Sequence, residues 1–354
     1  RLHAPTMAGR RRLRLTLAEL KPQESFCLED GKFLKDELEI NKTGIRFGHG
    51  GSSIEIDPAE LEEQEVLGRG ASSFVQRMVH KPTGKELAIK VINVFDKSKR
   101  DQLLREVRIL LDSNCLSLVG FYGAYFREGT ISIALEFMNR GSMEKYRGRL
   151  PERMLANATY QMLWGLGYLK HSKRVHRDIK PQNILMNSEG RVKLSDFGIS
   201  RNLENSIGTC ATYVGTFKYM SPERIRGHHY SYSSDIWSLG LVLVELATGE
   251  HPFAECLSPV DMVQTIVESE PPRLPGKFSD EFQEFIENCV QGNPEDRLPA
   301  EILMASPWLE MHGATSLDAA VANVKAWMDG EDAAASGGGG GESKHGGDEA
   351  KSGK

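Results

Sequence analysis

The sequence predicts an α+β protein of two unequal lobes, a small β-rich N-terminal lobe and a larger helical C-terminal lobe, with a cleft between them. Three observations predict this. Up to about residue 138, β-like runs recur (QEVLGRGASSFVQRMV, KELAIKVINV, GTISIALEFM), interrupted by one helical stretch, KRDQLLREVRILLD. Beyond that point helical periodicity dominates. The chain has 354 residues, 40% hydrophobic and 26% charged, enough for two cores.

Composition excludes several function classes. The formal net charge of -5 provides no global basic field for nucleic acid. No run of about 18 apolar residues is present, so no membrane span is expected. The five cysteines (Cys27, Cys115, Cys210, Cys256 and Cys289) form no CxxC pair, which argues against structural zinc and suits a reducing, cytoplasmic setting. The first residue is Arg1 rather than Met, as in a fragment or a processed form, and Met7 is a candidate start. The stretch MAGRRRLRLTL is Arg-rich with no acid before Glu19, as in a transit peptide, but lacks the Ser-rich amphipathic length of one.

The chain divides into four zones. Residues 1–60 form a polar extension in which LEINKTGIRF (Leu38 to Phe47) is expected to make a hairpin packed on the small lobe. Residues 61–312 carry every strong pattern. Residues 313–332 contain SLDAAVANVKAWMDG, with Leu317, Val321, Val324 and Trp327/Met328 at helical spacing. Ser316 is placed to cap that helix, Asp318 lies in its first turn, and Gly330 is expected to close it. Such a helix needs a surface to dock on. Residues 333–354 are Gly-rich and charged, without core-forming side chains, and are expected to be a disordered tail.

The cleft chemistry begins at LGRGASSFV (Leu67 to Val75) between two predicted strands. Gly68 and Gly70 allow backbone N–H groups to approach a polyphosphate, although by itself the loop is equally a plain Gly-rich hairpin. Ser73 replaces the third glycine of a GxGxxG pattern, which stiffens the flap. Lys90, inside the apolar strand LAIKVI, needs an anion. Glu106, beside the apolar stripe of LLREVRIL, can supply it, the alternative being two snorkelling surface charges. The decisive strings are VHRDIKPQNILM (Val175 to Met186) and KLSDFGIS (Lys193 to Ser200). Asp178 can accept a hydroxyl proton as the oxygen attacks. Lys180 can reach a transferring phosphoryl group. Asn183 and Asp196 are hard oxygen ligands suited to Mg2+, and Gly198 permits a sharp turn after Asp196 and Phe197.

On these strings, with SPER (Ser221 to Arg224), DIWSLG (Asp235 to Gly240) and EDR (Glu295 to Arg297), the sequence resembles a eukaryotic protein kinase over about Glu62 to Met311. The resemblance implies a two-lobed fold with ATP in the cleft. In it, Lys90 pairs with Glu106 and holds the α- and β-phosphates. Asn183 and Asp196 hold Mg2+, Lys180 neutralises γ-phosphate charge and Asp178 is the base. Lys180 at that spacing is similar to the serine/threonine-type catalytic loop. The implied nucleotide contacts are Leu67, Gly68, Gly70, Val75, Ala88, Lys90, Glu136, Met138, Ser142 and Leu185. Leu135 is the gatekeeper, and the backbone of Glu136 to Met138 is the hinge. Glu223 and Arg297 form a buried ion pair.

Arg177, just before Asp178, is the type of residue that pairs with a phosphate on the activation segment between Asp196 and Glu223. Thr216 falls where the family uses a Thr to contact the catalytic Asp and the substrate. The details GFYGAYFREGTISIALEFMNRGSM and VGTFKYMSPERI resemble mitogen-activated protein kinase kinases, which phosphorylate a Thr and a Tyr of a MAP kinase and are switched by an upstream kinase of their own. Ser206 and Thr212, with five residues between them, match the plant and protist activation-loop pattern rather than the animal one, with Thr209 a third candidate. The basic-then-apolar run Arg10, Arg11, Arg12, Leu13, Leu15 and Leu17 suits a docking peptide for a MAP kinase, or a solvated basic tail. The helix after Ser316 would serve an upstream kinase or simply pack on the large lobe. A MAP kinase kinase kinase or Ste20-type kinase and a pseudokinase scaffold are the alternative readings.

Overall fold

The computed structural model describes residues 27–29, 32–35, 38–47, 53–70, 73–93, 107, 110–196, 218–256, 258–268 and 270–337. The chain opens with five short strands, β1 (Cys27–Glu29), β2 (Lys32–Lys35), β3 (Leu38–Asn41), β4 (Gly44–Phe47) and β5 (Ser53–Glu55), paired in sequence order as an antiparallel meander. The expected hairpin is β3–β4. Asn41 shapes its turn by accepting the Thr43 N–H at 3.0 Å. The other three strands were not foreseen.

The small lobe proper is a second antiparallel sheet of β6 (Leu61–Arg69), β7 (Ser73–His80), β8 (Lys85–Asn93), β9 (Phe121–Arg127) and β10 (Thr130–Glu136), in the order β6-β7-β8-β10-β9. The centre of β8 is buried on both faces, so its apolar run is continuous rather than alternating. Ile89 packs with Ile56, Leu61 and Met78 on one face, while Ile92 joins the main core. The meander lies against the edge strand β9: Ile40 and Ile45 are fully buried. Gly123, at φ +146°, leaves the space that Ile54 and Ile56 fill.

The large lobe is built around α1 (Glu152–His171) and α3 (Tyr232–Thr248), with α2 (Pro222–Ile225), α4 (Pro259–Glu268), α5 (Asp280–Cys289), α6 (Ala300–Leu303) and α7 (Pro307–Met311) around them. From Ser234 to Ala247 α3 is buried all round, as its apolar sequence requires. Ser231 and Ser234 cap it reciprocally, and Gly249 ends it at φ +93°. A small sheet of β11 (Gly141–Ser142), β12 (Ile184–Met186) and β13 (Val192–Leu194) pairs in that order.

The final helix, α8 (Leu317–Gly337), docks along α1. Ser316 caps it as expected, accepting the Ala319 N–H at 3.2 Å. Its most buried residues are Ala320, Val324 and Met328, with Leu317 and Trp327 packed beside them. The helix continues through Gly330, where termination was expected, because Asp332 is pinned to Arg140 by a two-armed ion pair and a mid-helix glycine costs only about 1 kcal/mol. Beneath α8, Gly190 sits at φ +81°, and a Cβ there would stand 2.3 Å from the Val321 carbonyl oxygen.

Candidate active site

The floor of the cleft is the loop from His176 to Asn183 between α1 and β12. Asp235, an acid near the start of the apolar helix α3, holds this loop. Its carboxylate accepts the backbone N–H groups of His176 (2.7 Å) and Arg177 (2.9 Å) and the hydroxyl of Tyr230 (3.1 Å). Burial raises the Asp235 carboxyl to about 6, although the two N–H donors pull it back. Burial likewise lowers the His176 imidazole to about 4, so it is neutral at pH 7. Arg177 stands at φ +73° and Asp196 at φ +57°, left-handed conformations that non-glycine residues hold only when their surroundings enforce them.

Three predicted residues converge there. The Asp178 carboxylate accepts from Lys180 Nζ at 2.7 Å and from Asn183 Nδ2 at 2.9 Å. Asn183 Nδ2 also donates to the Asp178 carbonyl at 2.8 Å, which turns its amide oxygen away from Asp178. Ser195 N–H donates to the Asn183 carbonyl at 2.8 Å and ties the loop to the residue before Asp196.

The roof follows from strand register. Gly68 pairs with Val75, Val75 with Lys90, and Ala88 with Leu135, so these residues lie side by side in adjacent strands. Ala88 and Lys90, two apart, share one face of β8. A Cβ on Gly68 would meet nothing within 4 Å among the described residues, leaving open space under the flap. Gly70 N–H donates to the Ser73 carbonyl at 2.7 Å and closes the hairpin at the position expected to stiffen it. On the floor, Ser142 and Leu185 are register partners. Lys90, 6% exposed, reaches across the cleft to Asp196 Oδ1 at 2.7 Å. Burial alone would raise the Asp196 carboxyl, but the Lys90 ammonium outweighs it and holds the carboxyl below its usual range. Lys90 and Asp196 therefore bring small and large lobe together at one point. The oxygen donors of Asn183 and Asp196 fit a hard divalent cation.

Glu223 and Arg297 form the expected buried pair, at 2.8 and 2.7 Å. Glu106, Phe197, Gly198, Ser206, Thr209, Thr212, Thr216 and the run Arg10, Arg11, Arg12, Leu13, Leu15 and Leu17 lie outside the described residues. Sequence reasoning missed the role of Asp235, although an acid inside an apolar helix was visible in DIWSLG. It also missed the Glu136–Lys193 ion pair behind the hinge, at 2.6 Å.

A two-lobed fold with this constellation in its cleft defines a class. The protein kinase domain matches residues 61–309, and the chain belongs to the protein kinase family, phosphotransferases whose phosphoryl donor is ATP. It is similar to mitogen-activated protein kinase kinase 3 of Arabidopsis thaliana, 42% identical over 86% of this chain, and spans 63% of that relative's length. It is 41% identical to mitogen-activated protein kinase kinase 1 of the same plant, over 81% of this chain and 87% of that protein. To dual specificity mitogen-activated protein kinase kinase dSOR1 of Drosophila melanogaster it is 38% identical, over 72% of each. Within the family the chain is therefore of the mitogen-activated protein kinase kinase type. No helix among the described residues is long and apolar enough to cross a membrane.

Proposed function

We propose that the chain is a cytoplasmic dual-specificity kinase that transfers the γ-phosphoryl group of ATP to the Thr and the Tyr of a MAP kinase activation loop. The observation that supports the phosphoryl transfer in this reading is the Asp178 cluster, in which one carboxylate receives both Lys180 and Asn183. In this reading Asp178 accepts the proton of the substrate hydroxyl as its oxygen attacks, and Lys180 beside it offsets the charge on the transferred group. Lys90 holds the α- and β-phosphates and is oriented by Glu106 and Asp196. The backbone of Glu136 to Met138 receives the adenine, with Leu67, Gly68, Gly70, Val75 and Ala88 above it and Ser142 and Leu185 below. Asn183 and Asp196 would hold Mg2+, which when bound neutralises phosphate oxygens. Asp235 keeps the loop under Asp178 rigid through two backbone bonds.

Regulation belongs to the same proposal. An upstream MAP kinase kinase kinase phosphorylates Ser206 and Thr212, with Thr209 a third candidate, and Arg177 receives a phosphate on that segment. Residues 10–17 dock the MAP kinase through Arg10, Arg11 and Arg12 and then Leu13, Leu15 and Leu17. The test is a substrate panel: a MAP kinase made inactive by mutation, with its activation-loop Thr, its Tyr, or both replaced. Label from ATP should persist in each single replacement and vanish in the double. Label on the activation loop of a MAP kinase kinase instead would favour the upstream-kinase reading.

A further inference from the structure

Behind the cleft, one ion pair joins the lobes although neither member is placed to touch the phosphates. Glu136 ends β10, the last small-lobe strand before the hinge, and Lys193 is the middle residue of β13, three before Asp196. Lys193 Nζ donates to Glu136 Oε2 at 2.6 Å, with side chains 8% and 18% exposed. The same oxygen accepts the Gly120 N–H at 3.0 Å. Backbone bonds complete the junction. Glu136 N–H donates to the Gly120 carbonyl (2.8 Å), Val119 N–H to that of Leu194 (3.0 Å), and Leu194 N–H to that of Ser117 (2.9 Å). The segment 117–120 is thereby bonded to the hinge strand on one side and to β13 on the other. A Cβ at Gly120 would stand 3.1 Å from Glu136 Oε2, so a larger residue there makes that oxygen shift by a few tenths of an ångström.

We propose that the Glu136–Lys193 pair is an interlobe tie that sets the hinge for ATP, making both side chains positioning residues for nucleotide binding. The inference rests on the reading that ATP meets the backbone of residues 136–138. Rotation of the lobes about those residues would turn the Glu136 side chain away from Lys193 on β13. The pair resists this because separating a buried ammonium from a half-buried carboxylate leaves each charge without its counterion. Since β13 runs directly into Asp196, the tie also fixes the hinge relative to the candidate metal ligand. Buried ion pairs are often replaceable by apolar groups with no loss of stability, so stability alone does not account for one at this point.

The test uses the full chain with Glu136→Gln, Lys193→Met, the double variant and Lys193→Arg. Gln keeps an acceptor for Gly120, and Met keeps the apolar stem of the lysine. Melting temperature, the Kd of Mg·ADP, and KM for ATP and kcat on a MAP kinase are read. Each single variant leaves one charge, buried in Lys193 and half-buried in Glu136, without its counterion and should melt lower. The double variant should regain the melting temperature yet bind Mg·ADP roughly 3- to 10-fold more weakly, the cost of lost preorganisation. Its KM for ATP should rise in step, with kcat at saturating ATP within about twofold of the parent. Lys193→Arg, which preserves the charge, should bind as the parent does. A double variant with parental Kd and KM overturns the tie, as does Lys193→Arg binding as weakly as Lys193→Met. Failure of the unaltered chain to bind Mg·ADP would instead overturn the underlying reading of the cleft, and the tie with it.

Discussion

Replacing Glu223 by Ala removes the carboxylate that holds Arg297 in the interior of the large lobe. The guanidinium makes two bonds to that carboxylate, at 2.8 and 2.7 Å, with side-chain exposures of 0% and 7%. Ser221 and Ser234 hydroxyls each donate to Glu223 Oε1 at 2.7 Å. Without it Arg297 keeps carbonyl acceptors, those of Gln291, Ser233 and Gly292 at 2.8, 3.0 and 3.5 Å, and the Trp237 ring 5.0 Å away. Breaking a buried pair from one side costs about 3–5 kcal/mol. The carboxyl itself gives a second measure. Burial pushes it up, but Arg297 and the two serines bring it from 4.5 down to about 2. That depression corresponds to roughly 3 kcal/mol of stability. In a domain this size such a loss lowers the melting temperature by roughly 6–20 °C. The sign in pH is fixed: this stability is fully present above the unfolded value near 4.5 and disappears as pH falls through about 2. Calorimetric melting of the parent and of Glu223→Ala across that range is the assay. The variant should lack this part of the acid dependence, and Glu223→Ala/Arg297→Leu should recover part of the loss. A deficit below about 1 kcal/mol, the level of an exposed pair, refutes the reasoning.

Three further outcomes are expected. Lys90→Met should lower phosphoryl transfer by about 10²-fold or more while leaving far-UV circular dichroism unchanged, because it removes a charge aimed at the cleft; unchanged turnover would refute its role. Asp178→Asn should lower kcat by about 10²- to 10⁴-fold with the Kd of Mg·ADP within twofold, as loss of a base that does not bind nucleotide requires; a parallel loss of nucleotide binding would contradict that. Gly190→Ala should destabilise the chain by about 2 kcal/mol or more, since a Cβ would stand 2.3 Å from the Val321 carbonyl oxygen and φ is +81°; an unchanged denaturation midpoint would show that α8 does not press on this turn.

What the sequence disclosed and what it hid divide along contact range. Asp178, Lys180 and Asn183 lie within one short string, so their convergence is nearly local and was legible. Lys90 and Asp196 were legible singly, as a lysine in an apolar strand and an acid before a glycine. Their 2.7 Å contact spans 106 positions and required the fold. Asp235 grips the catalytic loop from nearly 60 residues away, and DIWSLG alone does not say which backbone groups its carboxylate meets. The first strands were visible only where the short apolar alternation of Leu38 to Phe47 marked a hairpin. In α8 the periodic apolar residues found the right face, but Ala320, too small to stand out as core, is fully buried. The helix outran Gly330 because the anchor that extends it, Arg140, sits far off beside the hinge.

The most direct test of the central claim is phosphosite mapping by mass spectrometry of a catalytically dead MAP kinase, after incubation with the activated full chain and Mg·ATP, beside an Asp178→Asn control. The account predicts phosphate on both the Thr and the Tyr of the MAP kinase activation loop, and almost none with the control. Phosphate confined to serines elsewhere, or undiminished with Asp178→Asn, would contradict it.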